Sequence, residues 1–86
     1  MMTVFEVHLA EGSDGAGLLS DEVLSETGAQ VMTLQEAALV GFQGLQALEG
    51  SGNVRLIAVR ARDAAWIHRC LETHGAVTAF RAHQVD

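Results

Sequence analysis

Lysine is absent from this chain, cysteine occurs once, and no apolar run approaches membrane-spanning length. Each absence removes a class of function. Without lysine, and with a formal net charge of −6, the chain lacks the cationic surface that tracks phosphates, which argues against nucleic acid as a partner. With Cys70 alone, no intramolecular disulfide can form, so the chain is not a stapled secreted scaffold. A bilayer span needs roughly 20 apolar residues, and a secretory leader needs a basic start followed by an apolar stretch. Met1-Met2-Thr3-Val4-Phe5-Glu6 offers neither. A cytoplasmic protein without a membrane partner is the expectation.

The 86 residues predict a single domain over 1–86, with a thin stability margin. Hydrophobic residues make up 49% and charged residues 19%. A small body has proportionally more surface to cover with polar groups, so this apolar excess points to a second buried surface and hence to self-association. Charge is split along the chain. Residues 1–50 hold Glu6, Glu11, Asp14, Asp21, Glu22, Glu26, Glu36 and Glu49 and no arginine, whereas 51–86 hold Arg55, Arg60, Arg62, Arg69 and Arg81 against Asp63, Glu72 and Asp86. Pairing between the halves accounts for this more simply than a dedicated anion site.

From Thr3 to Leu9 polarity alternates, with Phe5, Val7 and Leu9 on one side and Val4, Glu6 and His8 on the other, which predicts a half-buried strand. Glu11 to Gly17 reads as a loop with three glycines. A short helix is predicted from Ser20 or Asp21, with its acidic first turn suited to the helix dipole and Gly28 as its stop. Thr33-Leu34-Gln35-Glu36 has the form of a capping box, after which Leu34, Ala38, Phe42 and Leu45 share a face, predicting a second helix over about 34–43. Residues 45–61 read as a hairpin turning at Gly50-Ser51-Gly52-Asn53, or alternatively as a helix continued through Glu49 and capped by Gly50. Val54 to Ala61 is apolar at both parities, which predicts a central strand covered on both faces. Asp63 then opens a helix with Ile67, Cys70, Leu71 and His74 inward, Trp66 on the flank, His68, Arg69, Glu72 and Thr73 outward, and Gly75 as the stop. Ala76 to Val85 is the last strand.

Setting the short helix at 21–27 aside as an extra element, the order is βαββαβ: an α+β two-layer sandwich with helices on one face of an antiparallel sheet. This order resembles the ferredoxin-like superfold of small regulatory domains, including PII-type signal proteins and ACT domains. Ser25-Glu26-Thr27-Gly28, then Gln30 to Leu34 and Val40 to Gln43, is similar to the PII segment that leaves the first helix and enters the second strand, a placement at odds with a helix over 34–43. The long PII loop is shortened to Gly50–Asn53, and the nucleotide loop before the last strand is replaced by His74-Gly75. The resemblance therefore implies a fold and a regulatory, oligomeric way of working, and assigns no nucleotide ligand.

No G-x-S-x-G, H-E-x-x-H or C-x-x-C pattern is present. Gly12 to Gly17 lies where phosphate loops occur but matches neither phosphate-binding pattern, and Glu11 and Asp14 would repel phosphate. Cys70 and His74, four apart on a helix, are two soft ligands on an apolar face and fall short of a zinc set. If the first and last strands pair antiparallel, His83 lies opposite Val4 and His8 opposite Ala79, with the imidazoles too far apart to share a metal. No metal or cofactor is expected. Glu6, His8, Arg81 and His83 would share the open sheet face, joined by either Arg55, Ile57 and Val59 or Val54, Leu56 and Arg60. The leading expectation is a non-enzymatic regulatory or interaction module that self-associates through this face, with Arg55, Ile57, Val59 and Trp66 at the contact and a further protein partner admissible. The alternatives are an anionic-ligand sensor using Arg55, Arg81, His8 and His83, and a minor enzyme activity using the histidines.

Overall fold

Strand β1 runs from Met2 to Leu9 and sends Phe5, Val7 and Leu9 into the core, as its alternation requires. The computed structural model describes residues 1–33, 35–36 and 53–85. Helix α1, Asp21–Thr27, starts where Ser20 Oγ accepts the Val23 N–H at 3.3 Å. It ends at Gly28, which takes the left-handed conformation (φ 68°) and donates its N–H to the Leu24 carbonyl at 2.9 Å. Thr27 is buried there, donating to the Val23 carbonyl and accepting the Ala29 N–H, so the exit from the helix is fixed by side-chain bonds. Strand β2 follows immediately, Gln30–Thr33.

Strand β3, Val54–Arg60, leads through a single 3-10 turn, Ala61–Asp63, into helix α2, Ala64–Thr73. Asp63 stands at the cap position but makes no capping bond, and its carboxylate faces the Arg60 guanidinium at 3.2 Å. Ile67 and Leu71 are the buried residues of α2, with Cys70 packed partly against the core. Strand β4, Val77–Val85, completes the sheet.

The strands lie in the order β2-β3-β1-β4, and every neighbouring pair is antiparallel. The protein is thus an α+β fold with four strands in one sheet and two helices among its described residues. Both helices cover one face. Val23 of α1 and Ile67 and Leu71 of α2 close over Phe5, Val7, Ile57 and Val59, and Leu18, Leu19 and Ala29 fill in at the side. On the other face Val4, Val54 and Leu56 are also at most 4% exposed. Strand β3 is therefore covered on both sides within one chain, as its doubly apolar sequence requires. None of the described helices is long and apolar enough to cross a membrane.

Two expectations change. The short helix at 21–27 is not an extra element, because it is the connection between β1 and β2. The place beside β3 expected for the first hairpin arm is held by Gln30–Thr33, registered on Arg55–Ala58. The predicted helix over 34–43, the arm at 45–49 and the turn at 50–52 lie outside the described residues, Gln35 and Glu36 excepted. The capping box is formed: Thr33 donates its N–H to Glu36 Oε1 at 3.1 Å, and Glu36 donates its own to Thr33 Oγ1 at 3.2 Å.

Candidate functional site

The β1–β4 register sets Glu6 opposite Arg81, Val4 opposite His83 and His8 opposite Ala79. On the face away from the helices the three polar side chains of this patch converge on the Glu6 carboxylate, whose side chain is 3% exposed. His8 Nε2 stands 2.7 Å from Oε2. Arg81 Nε donates to Oε1 at 3.0 Å, and His83 Nε2 lies 3.2 Å from the same oxygen. A carboxylate can only accept, so each imidazole carries its hydrogen on Nε2. The three partners are more open, at 29% for His8, 65% for Arg81 and 48% for His83.

Burial alone would raise the pKa of Glu6. The hydrogen bonds from His8, Arg81 and His83, reinforced by the Arg81 charge, outweigh it and lower the value from 4.5 to about 2. With neutral imidazoles the cluster has no net charge, since Arg81 cancels Glu6. Each proton taken by an imidazole adds one positive charge at the surface.

The sequence offers Arg55, Arg81, His8 and His83 as contacts for an anionic ligand; the structure brings the last three together, on the Glu6 carboxylate. The sequence pattern places Glu6 on the same face without giving it a role. The signal was present: one carboxylate in the middle of a strand, with an arginine at the cross-strand position. The register expected for the two histidines is the one observed, but a shared carboxylate between them spans the gap that separates them along the strands.

Arg55 does not join this group. It sits with Ile57 and Val59 at the opposite parity, opposite Val7 on β1, and holds the loop after β1. Its guanidinium donates to Asn53 Oδ1 and the Val54 carbonyl, both at 3.0 Å, and to the Asp14 carbonyl at 3.2 Å. Asn53 Nδ2 donates to the Ala10 and Ser13 carbonyls, so strand entry and loop form one strap. Ile57 and Val59 are buried beneath the helices at 0% and 1% exposure, which removes them from any surface contact. Trp66 is exposed on α2. His74 accepts the Ala76 N–H on Nδ1 at 3.1 Å, a turn role that ties up that nitrogen. Among the described residues no group of three or more His, Cys, Asp or Glu is arranged to hold a metal ion.

The strap makes a prediction about glycine. Gly15 lies at φ +77°, and a Cβ there would stand 3.2 Å from Leu9 Cδ1 and 3.5 Å from Arg55 Nε. Gly12, at φ +86°, has open space around it. Gly12→Ala is expected to cost about 1 kcal/mol from backbone strain alone. Gly15→Ala is expected to cost about 2 kcal/mol because the neighbours must also give way. Urea unfolding of the two variants checks this, and equal losses would show that the strap is loose.

No protein-family model, curated protein or solved structure matches this chain.

Proposed function

We propose that this protein is a non-enzymatic interaction module that self-associates, with the exposed edge strand β4 as the contact. The observation that carries this reading is the state of β4. It is nine residues long, pairs with β1 on one side only among the described strands, and leaves seven residues exposed. Long bare edges invite strand addition, and proteins cover them, shorten them or charge them. Met2 and Val85, cross-strand partners at the end of this margin, add two apolar side chains at 38% and 37% exposure. A two-fold pairing of β4 with β4 of a second copy would cover the edge in both subunits at once. Internal neutralisation of Arg81 by Glu6 removes the like-charge clash such pairing would otherwise bring to the middle of the strand.

The same site disfavours an anion sensor. An anionic ligand would find the positions around Arg81, His8 and His83 already taken by the protein's own carboxylate, and Arg55 is on the other face. The ferredoxin-like reading belongs with this proposal. It is supported by two crossovers, β1–α1–β2 and β3–α2–β4, each joining parallel strands with a third strand between them. A lone cysteine suits a reducing compartment, in keeping with a cytoplasmic setting.

Light scattering at tens of micromolar tests the proposal. The wild-type protein is expected to scatter as an oligomer. The double variant Ala79→Lys/Val85→Lys, which sets charges along the exposed strand, is expected to scatter as a monomer with unchanged circular dichroism. A monomeric wild-type protein overturns the proposal.

A further inference from the structure

Between α2 and the far end of the β1–β4 pair lies a cleft of about 430 Å³. It has a clear cause in the sequence. The inward residues of β4 are Phe80, Ala82 and Gln84, standing opposite Val7, Phe5 and Thr3. Phe80 reaches the core and packs against Phe5 with ring centroids 6.2 Å apart. One step further along the strand a methyl group replaces a ring, and α2 answers with Ala64 and Ala65. Small residues on both walls leave the gap unfilled, in a region where cores are otherwise packed tightly.

Two residues of the lining carry polar groups that bear on what the cleft can hold. Thr3, a lining residue 1% exposed, has a buried hydroxyl with no hydrogen-bond partner among the described residues. An orphaned buried hydroxyl is costly, and a group that reaches it recovers that cost. At the opposite wall His68 Nδ1 lies 3.1 Å from Glu72 Oε1, and its ring meets Phe80 edge-on at 5.0 Å. Because a carboxylate only accepts, Nδ1 of the neutral ring carries the hydrogen and Nε2 is left as a bare acceptor. The lining charges, Arg69 and Glu72, cancel.

We infer that this cleft is a binding site for a small, uncharged, mainly apolar molecule carrying a hydroxyl group. The volume lies within the range of small-molecule pockets. The alanine walls accept a flat apolar body, the Thr3 hydroxyl supplies the inner hydrogen bond and His68 Nε2 is an acceptor at the rim. No net charge is present to select an ion. This site lies on the helix side of the sheet, apart from the Glu6 cluster, and shares Ala82 and Gln84 with the strand proposed as a contact.

The probe for the test is 2-naphthol, titrated into isotope-labelled protein with amide chemical shifts as the readout. Saturable shifts confined to Thr3, Ala65, Ala82, Gln84 and their neighbours are expected by low-millimolar probe. Thr3→Val, which keeps the shape and removes the hydroxyl, is expected to weaken binding by about fivefold, the effect of one net hydrogen bond. Ala82→Leu, which fills the gap, is expected to abolish it, and Ala65→Leu serves as a second filling variant if the first does not fold. An absence of saturable shifts, shifts scattered over the molecule, or equal affinity in Thr3→Val and the wild type would overturn the inference.

Discussion

Glu6→Gln will lower stability by about 3 kcal/mol at pH 7 and by almost nothing at pH 2. The folded-state pKa of Glu6, about 2, lies below its ordinary 4.5. A carboxylate depressed in the folded state stabilises it fully above the unfolded value, and that contribution fades as pH falls through the folded one. The window is therefore pH 4.5 down to 2, and a gap of this size corresponds to about 3 kcal/mol. Glutamine is shaped like the protonated acid, so the variant already sits at the bottom of that slope. For a domain of this length the loss at neutral pH is a fall in Tm of more than about 10 °C. Urea unfolding at a series of pH values, in both proteins, gives the answer. Parallel pH profiles would mean that the three donors around Glu6 do not hold its charge. Arg81→Ala should cost far less, because its side chain is 65% exposed and water replaces much of what it gives.

The second large effect is expected at Phe5, which is 1% exposed and pairs with Ile57 on one side and Ala82 on the other. Phe5→Ala removes a ring from the point where β1, β3 and α2 meet, at a cost of about 4 kcal/mol. The spread in such costs depends on how far the surroundings relax, and here the ring borders a cleft that is already open. Water can enter the enlarged space, so the loss is placed below the worst cases. Phe5→Leu should recover about half of it, since most of the apolar volume returns. Chemical denaturation of both variants measures this, and a loss under about 1 kcal/mol for Phe5→Ala would mean that the ring is not part of the core.

Much of the fold was legible because the decisive signals are local. Ser20, Gly28 and the acidic turn between them bounded α1, and Thr33 with Glu36 formed the expected box. The alternation of β1 and the double apolarity of β3 fixed their places in the sheet. Strand β2 was missed by periodicity for an equally physical reason. Gln30 to Thr33 is four residues long at an exposed margin, too short for a period of two to stand out. A strand entered soon after Gly28 is what the likeness to the PII segment implied. Once β2 is in place, the 21–27 helix becomes a crossover.

At the site, the parity of His8, Arg81 and His83 was readable from two strands and one assumption about their pairing. The role of Glu6 was not, because it depends on reach. Long side chains on neighbouring strands bridge residues that backbone spacing alone holds apart. Arg55 illustrates the reverse case. The sequence leaves its face open between two parities, and only the register of β3 against β1 decides that it straps the loop at Asp14 instead of lining the sheet.

The strand at the heart of the sheet also governs when the protein can be finished. Strand β1 leaves the ribosome well before one of its two partners, residues 77–85, is made. Bonds such as Thr78 Oγ1 to the His8 carbonyl or Arg81 to Glu6 join positions 70 and 75 residues apart. Closing so large a loop is slow and comes late. Until translation reaches Arg81 and His83, the carboxylate at residue 6 lacks that guanidinium and the second imidazole, and the growing chain carries an unfinished centre up to that point.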